Sequence, residues 1–344
     1  MRLVFVHWVW GSDVGSVQDL HNYARISEAL GHEVVLYGSG NGLPFKCSTE
    51  VSDSDALVFI FESKTALQHG DTLDLARLVA RVPRERRVVI DCDGGYNDAI
   101  RLGGDDFNHP DAAASARWVG ICDSLSDKIV QPTLHPLREN VGTFFFHAYD
   151  PGWEQPLAAG GKDYGMCYVG NNWRRWRGLR RVLDALEPVR ADVGRIVLIG
   201  RWWDSLPDSP FDETDPEYLR RLGVELRSPV SFDQVIECMG LGTFMPVIYR
   251  PLFDRLQLVT CRTFETPAAN TLPLFCHDSD FVSEIYGEAA LELRLPADDP
   301  QEKILDLLER PDHYAGIVEG IRTHLRESYS YERQLGRLIE LVEA

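Results

Sequence analysis

The segment Arg262-Thr-Phe-Glu265-Thr-Pro-Ala-Ala-Asn270-Thr-Leu-Pro-Leu-Phe275 carries the clearest signal in the chain. Its first half has a short helical pattern that contains an arginine and a carboxylate, and an apolar strand follows at 272–276. A carboxylate there can accept hydrogen bonds from two adjacent ribose hydroxyls, and the free N–H groups of the helix start can hold a phosphate. We therefore expect Glu265, Arg262 and Thr266 to bind a nucleotide. A carboxylate that merely favours the dipole at a helix N-terminus is the alternative.

The same segment resembles the donor-binding helix of GT-B glycosyltransferases, and within them the R-x-F-E…A-x-G pattern of the CgeB-like, family 1/4-like branch. The resemblance implies that Glu265 binds the donor ribose and that Arg262 is the family's arginine. Asn270 stands where the family has glycine. We expect a left-handed backbone there, because asparagine adopts it more readily than other non-glycine residues. Leu258 replaces the second glutamate of the E-x7-E pattern of retaining members, which leaves the stereochemical outcome open.

A basic loop follows the apolar run 165–169 and reads Gly170-Asn-Asn-Trp-Arg174-Arg175-Trp-Arg177-Gly. Five arginines fall within the eight residues 174–181 of a chain whose formal net charge is −18. Arginine supplies charge and forked donors together, which suits a departing diphosphate. The loop resembles the G-R-x…K-G loop of GT-B enzymes, with Arg177 at the position of its lysine and Arg174 or Arg175 supplying a second charge. A solvated basic helix face is the alternative, and we adopt it for the last two arginines.

Strand-like apolar runs alternate with helix-like segments along the whole chain, which is typical of an α/β fold. Predicted strands lie at 3–6, 34–37, 57–61, 88–91, 118–122, 143–146, 165–169, 196–199, 224–226, 244–248, 272–276 and 290–293. The resemblance implies a GT-B architecture, with two Rossmann-like domains facing across a cleft. We expect an acceptor domain at 1–150, a linker at 151–162, a nucleotide-sugar donor domain at 163–329 and a C-terminal helix at 330–344 that packs back on the first domain.

The composition is that of an ordinary globular protein, and 344 residues favour two domains. The net charge of −18 argues against broad binding to nucleic acid or to an anionic membrane surface. The seven cysteines form no C-x-x-C pair, and the first apolar run is too short for a signal peptide or a membrane span. We expect a cytoplasmic protein without a membrane span, a disulfide framework or a structural zinc site.

Three groups in the first half are candidates for the acceptor side. Asp93 belongs to a D-x-D that ends a strand and resembles a metal motif of a different glycosyltransferase fold. Because it lies outside the donor half, we interpret it as a candidate base, with a hydrogen-bonded loop carboxylate as the alternative. Asp13, Gly15 and Ser16 lie between the first strand and its helix, where they either border the acceptor or form a simple turn. His147 stands at the position of the family's hinge. It is either a residue of the binding pocket or a histidine with a structural role.

The sequence therefore predicts a metal-independent hexosyltransferase that needs no cofactor. It would move a sugar from a nucleotide-diphosphate sugar to a hydroxyl or amine of a small molecule or glycan. If configuration is retained, the leaving phosphate can take the acceptor proton, and if it is inverted, Asp93 or Asp13 takes it. Two alternatives remain: a degenerate GT-B protein that binds a nucleotide or a partner without turnover, and a glycosyltransferase that acts on DNA bases. The net charge disfavours the second, because phosphate contacts dominate DNA affinity.

Overall fold

The structure is a computed structural model, and it describes residues 1–7, 15–38, 46–62, 75–97, 112–158, 161–205 and 213–344. Asp13, one of the predicted bases, lies outside these residues. The predicted acceptor-side residues Gly15, Ser16, Asp93 and His147 lie inside them.

The described strands and helices alternate along the chain. The strands are β1 Arg2–Val6, β2 Glu33–Tyr37, β3 Cys47–Ser48, β4 Ala56–Phe61, β5 Arg87–Asp91, β6 Lys128–Gln131, β7 Val141–Thr143, β8 Tyr164–Val169, β9 Ile196–Ile199, β10 Val224–Arg227, β11 Gly242–Val247 and β12 Leu272–Phe275. The α-helices are α1 Gly15–Ala29, α2 Leu75–Arg81, α3 Ala112–Leu125, α4 Trp176–Leu186, α5 Arg190–Val193, α6 Pro216–Arg221, α7 Phe232–Met239, α8 Pro251–Arg255, α9 Cys261–Ala268, α10 Ser279–Tyr286, α11 Pro300–Glu309, α12 Pro311–Tyr329 and α13 Tyr331–Glu343. Short 3₁₀ helices lie at Arg84–Arg86, Pro151–Trp153, Glu187–Val189 and Glu288–Leu293.

The chain divides into two compact units. The first contains residues 1–148, 255–260 and 329–344, and the second contains 149–254 and 261–328. The C-terminal helix α13 therefore belongs to the first unit. The stretch predicted as a linker, 151–162, belongs to the second unit, and no sequence pattern indicated that 255–260 joins the first.

The first unit is built on a parallel sheet with the strand order β3-β2-β1-β4-β5-β6-β7. Its central strands are continuous apolar runs; β4 reads ALVFIF and is buried at every residue. Strands buried on both faces need helices on both sides, which the intervening helical segments supply. The order reverses between β1 and β4, and ligands of open α/β sheets bind beyond the carboxyl ends of the strands at such a point.

The second unit repeats this arrangement with the order β10-β9-β8-β11-β12, again parallel throughout. The reversal lies between β8 and β11. Helix α4 is the first helix after β8, and α9 is the last helix before β12. In a parallel sheet such connecting helices begin on the side of the carboxyl ends of the strands. The predicted α/β class with two Rossmann-like halves is confirmed.

Two predicted strands are wrong, and a third, 143–146, overlaps β7 only at Thr143. The run 118–122 is part of α3, where Trp118, Cys122 and Leu125 are buried at helical spacing, whereas Gly120, Asp123 and Ser124 are exposed. The run 290–293 is part of a 3₁₀ helix. Both are short apolar runs, for which periodicity does not separate strand from helix.

None of the described helices combines the length and the apolar character needed to cross a bilayer. Cys92, Cys122, Cys167, Cys238 and Cys276 are free thiols.

Candidate functional site

Helix α9 presents a buried carboxylate at the carboxyl edge of the second sheet. Glu265 is fully buried, and its Oε2 accepts a hydrogen bond from Arg262 Nη1 one turn earlier. Among the described residues, neither Glu265 Oε1 nor the buried Thr266 Oγ1 has a hydrogen-bond partner. A buried polar atom without a partner costs free energy, so such a pair of atoms is typical of a site that a ligand completes. The structure thus brings together the predicted residues Glu265, Arg262 and Thr266.

The hydroxyl of Tyr168, near the end of β8, faces the same cations. It is buried and has no hydrogen-bond partner among the described residues. Burial raises the pKa of Tyr168, while Arg175 and Arg262 lie close enough that their charges oppose that rise. A Cβ at Gly170 would lie 3.1 Å from this hydroxyl, so the glycine leaves room beside it. Tyr168 and Arg175 therefore join the group around α9.

The loop between β8 and α4 is held by its neighbours. A Cβ at Gly200 would come within 2.1 Å of the Gly170 carbonyl oxygen, so only glycine permits this approach at the end of β9. The Gly170 carbonyl accepts a hydrogen bond from Trp203 Nε1 at 3.0 Å. Asn172 is buried and donates from Nδ2 to the carbonyls of Trp202 and Glu213. The loop is a rigid platform for the arginines that it carries.

The predicted phosphate-binding arginines differ in their surroundings. Arg174 is half-buried and has a φ of 55°, a strained geometry for a residue with a side chain and one that clusters at functional sites. Arg177 is 69% exposed in its side chain and forms an ion pair with Glu213 at 2.9 Å. It borders a surface groove of about 540 Å³ with Arg180 and Asp184. Arg175 therefore lies near Tyr168 and the group around α9, whereas Arg177 is paired with the carboxylate of Glu213.

The C-terminal end of α9 is braced by a buried cation. Arg322, from α12, donates from Nε to the Pro267 carbonyl at 2.7 Å and from Nη2 to the carbonyls of Ala268 and Ala269 at 3.1 and 3.0 Å. These bonds satisfy carbonyls that a helix end leaves free, and they place a positive charge at the negative end of the dipole. The brace fixes the helix that carries Glu265.

Asn270 does not have the expected geometry. Its φ is not positive, unlike that of Arg174, Trp202, Gln257 and Asp299. Its side chain instead forms a structural bond, because Oδ1 accepts from the Ala158 backbone N–H at 2.8 Å. The left-handed prediction was wrong: Asn270 is held by hydrogen bonds to Ala158 and Gln155, and the turn after α9 is closed by the backbone bond from Thr271 N–H to the Ala269 carbonyl.

The first unit has its own polar group beyond the carboxyl ends of β1 and β4. His7 follows β1, and its Nδ1 lies 3.1 Å from the Ile60 carbonyl oxygen, so Nδ1 carries a proton. The other ring nitrogen, Nε2, lies 2.7 Å from Ser16 Oγ and 3.6 Å from Glu62 Oε2. Glu62 follows β4. Three functional side chains therefore meet where the strand order reverses.

A second histidine extends this group. His147 Nδ1 donates to Asp19 Oδ2 at 2.8 Å, and Tyr331 of α13 donates to Asp19 Oδ1 at 2.6 Å. All three side chains are buried. Ser16 and Asp19, whose spacing also fits a helix cap, instead serve this polar network. His147 is a member of the group, and its ring orientation is set by Asp19.

The D-x-D segment has a structural role at its first carboxylate. Asp91 is buried and accepts from the backbone N–H groups of Gly95 and Tyr96 and from Gln131 Nε2, at 2.7–2.9 Å. Its oxygens are thus occupied. Asp93 is half-buried next to it. Among the residues that the structure describes, no three His, Cys, Asp or Glu side chains are grouped as metal ligands.

Comparison with known proteins assigns the architecture. No family model matches the chain, and no curated protein matches it. Among solved structures, the β-glucosyltransferase of phage T4 bound to UDP and Mn²⁺ is similar, at 13% identity and a TM-score of 0.63 over 100% of both chains. An α-glucosyltransferase bound to UDP and a 13-mer DNA is similar at 13% identity and a TM-score of 0.65, over 100% of this chain and 99% of the other. The DNA-modifying β-glucosyltransferase determined with and without UDP-glucose has 13% identity and a TM-score of 0.60 over 100% of both chains.

The fold is GT-B. At this level of identity the likeness establishes the architecture, and the CgeB-like branch has no support from it. Within the GT-B fold the second unit corresponds to the half in which the sequence placed the donor. The group around α9 lies at the carboxyl edge of that unit's sheet.

Sequence reasoning missed His7, Glu62 and Asp19 in the first unit, and Tyr168 in the second. The sequence contains a signal for two of them, since His7 and Glu62 each come directly after a run of at least four apolar residues. In a parallel sheet those positions share one edge. Nothing local in the sequence distinguishes Asp19 or Tyr168 from other helix and strand residues.

Proposed function

We propose that the protein is a glycosyltransferase that moves a sugar from a nucleotide-diphosphate sugar to a hydroxyl or amine. The observation that carries this proposal is the buried carboxylate of Glu265, whose Oε1 lacks a partner among the described residues and stands beside Arg262. A ribose hydroxyl supplies the donor that Oε1 lacks. The GT-B fold and the nucleotide-bound structures to which the chain is similar support it.

The alternative role of Glu265, a carboxylate that favours the helix dipole, has less support. Glu265 is the fifth residue of α9, and the first turn of that helix has no acidic residue. Dipole effects fall off within the first turn, and they are weakened by a direct ion pair with Arg262. A ligand role explains the burial and the unfilled oxygen together.

The donor diphosphate would be held by arginines of the second unit. Arg262 is nearly buried. Burial lowers its pKa, but the charge and hydrogen bond of Glu265, together with the charges of Cys261 and Tyr168, raise it on balance, so Arg262 stays charged at every working pH. Arg175 and Arg174 come from the loop after β8, and Gly170 lets the backbone of that loop approach the phosphates. Their charge would stabilise the diphosphate as its bond to the sugar breaks. Arg177 would contribute by leaving its ion pair with Glu213 and forming one with the donor phosphate.

We propose that this charge replaces a metal ion. The phage T4 β-glucosyltransferase to which the chain is similar was determined with Mn²⁺, so turnover should be compared in EDTA and in added Mn²⁺. Asp93 and Asp13 remain candidates for the base of an inverting reaction. The free thiols support a reducing, cytoplasmic location.

Two acceptor classes are proposed. A small molecule or glycan fits the net charge of −18, which opposes general affinity for DNA. A hydroxymethylated DNA base is the second candidate, because one α-glucosyltransferase to which the chain is similar over its full length was determined with a 13-mer containing such a base. A 13-mer duplex with hydroxymethyluracil, tested beside simple glycans in a diphosphate-release assay, distinguishes the two.

The first test is a thermal shift with UDP, GDP, dTDP, ADP, CMP and their sugars. A ligand that binds only the folded chain raises the unfolding midpoint by mass action. We expect one diphosphate to raise it, and Glu265→Gln, which keeps the shape of the side chain, to remove the effect. Glu302→Gln is the matched control, because Glu302 is an exposed acid in the first turn of α11.

An undiminished shift in Glu265→Gln would overturn the donor assignment. A shift without sugar transfer or donor hydrolysis would favour the degenerate GT-B protein that binds without turnover. No shift with any member of the panel would remove the support for a nucleotide-sugar donor.

A further inference from the structure

Glu62 occupies a distinctive position in the first unit. It is the first residue after β4, beside the point where the strand order reverses, and its side chain is 19% exposed. The carboxylate is therefore reachable from solvent, although most of it is covered. Asp91, on the next strand, is buried, and each of its oxygens already accepts a hydrogen bond from a backbone or side-chain donor.

His7 faces this carboxylate, His147 lies close enough for its charge to act on it, and each ring is oriented by a second group. His7 donates from Nδ1 to the Ile60 carbonyl, so its Nε2 is directed at Glu62 and Ser16. His147 donates from Nδ1 to Asp19, which Tyr331 holds from the other side. Groups fixed in this way pre-organise a functional side chain and lose little freedom when a substrate binds.

The surroundings keep Glu62 ionised. Burial raises its pKa, but the hydrogen bond and charge of His7, the charge of His147 and the Ser16 hydroxyl lower it below the ordinary range. His7 and His147 are the titratable groups that act on Glu62, and Glu62 in turn acts on Cys92. The carboxylates of Asp93, Asp91 and Asp19 also act on Cys92. Cys92 stays a neutral thiol, because burial and then the charge of Glu62 raise its pKa.

We propose that Glu62 accepts the proton of the acceptor hydroxyl, with His7 and His147 as positioning residues. This deepens the proposed glycosyltransferase function and rests on it. The acceptor oxygen forms its bond to C1 of the donor sugar while its proton passes to a Glu62 oxygen. The bond from C1 to the β-phosphate oxygen breaks, and its electron pair leaves with the nucleoside diphosphate. A single displacement of this kind inverts the configuration at C1.

The experiment measures diphosphate release from UDP-glucose, or from the nucleotide sugar that gives the thermal shift, with water and with the hydroxymethyluracil duplex as acceptors. We expect Glu62→Gln to lower release by about 100-fold or more, the usual contribution of a general base. Donor binding, measured by thermal shift, should stay within about twofold, since no residue of the donor group changes. Glu62→Asp should restore part of the rate. The exposed Glu85→Gln in the same unit is the matched control.

A second readout is the anomer of the first sugar released from an α-linked donor, read by proton NMR before mutarotation. The β anomer is expected. The α anomer, unchanged release in Glu62→Gln, or loss of release in Asp93→Asn alone would overturn the proposal while leaving the donor assignment intact. Donor binding without release to any acceptor by the wild-type protein would also overturn it. Failure of every nucleotide to bind would instead remove the proposed function itself.

Discussion

At the scale of single residues, His7 decides the ionisation of its neighbour. The folded-state pKa of Glu62 is lowered, so the stability that its ionised form contributes is present above the ordinary glutamate pKa and is lost as pH falls through the folded value. His7→Asn keeps a donor for the Ile60 carbonyl but removes the Nε2 that faces Glu62. Burial then dominates, and the pKa of Glu62 should rise.

The measurement for His7→Asn is the pH dependence of kcat/KM for diphosphate release. The acid limb should move to higher pH, while the rate on the plateau changes less than it does in Glu62→Gln. His313→Asn, an exposed histidine paired with Glu292 in the second unit, serves as control and should leave the limb in place. An unmoved limb in His7→Asn would mean that His7 does not hold Glu62 in its ionised form.

At the scale of elements, α9 depends on the cation at its C-terminal end. Arg322→Ala would leave three buried carbonyls without their donor, and hydrogen bonds to charged groups contribute about 1.5–3 kcal/mol each. We expect a loss of about 3 kcal/mol or more in the free energy of unfolding, measured by urea titration. Affinity for the nucleoside diphosphate should fall as well, because the helix carries Glu265.

A surface arginine provides the comparison for Arg322. Arg310 forms an exposed ion pair with Asp306, so Arg310→Ala should change stability by no more than about 1 kcal/mol and leave nucleotide affinity unchanged. If Arg322→Ala lowers stability but not nucleotide affinity, the brace has no part in holding Glu265.

Elements also show which features a sequence can predict. Strands such as β1 and β4 were found because continuous apolar runs bounded by turns identify buried parallel strands. The prediction of a strand at 118–122 was wrong, because a short apolar run is compatible with a buried helix segment as well as with a strand. Glu265, Arg262 and Thr266 were predicted together because they belong to one local motif. The partner of Glu62 could not be found in that way, because His7 lies more than fifty residues away and meets it only through strand pairing.

At the scale of the whole molecule, the chain begins and ends in the same unit. Helix α13 packs on α1, where Tyr331 lies edge-on against Tyr23 with ring centroids 5.3 Å apart and donates to the buried Asp19. The last residues of the chain thus complete a polar network that starts near its N-terminus. Removing them would affect the chemistry of the first unit without touching the donor residues of the second.

Tyr331→Phe tests this dependence with the loss of one hydroxyl. Asp19 Oδ1 would lose its donor in a buried place, so the free energy of unfolding should fall by about 1–3 kcal/mol. Asp19 would hold His147 less firmly, and the acid limb of diphosphate release should rise in pH, although less than in His7→Asn. Tyr314→Phe, which removes a hydroxyl bonded to Asp306 in the second unit, should lower stability without moving that limb. Equal pH profiles for the two variants would show that α13 supports the fold of the first unit and has no influence on Glu62.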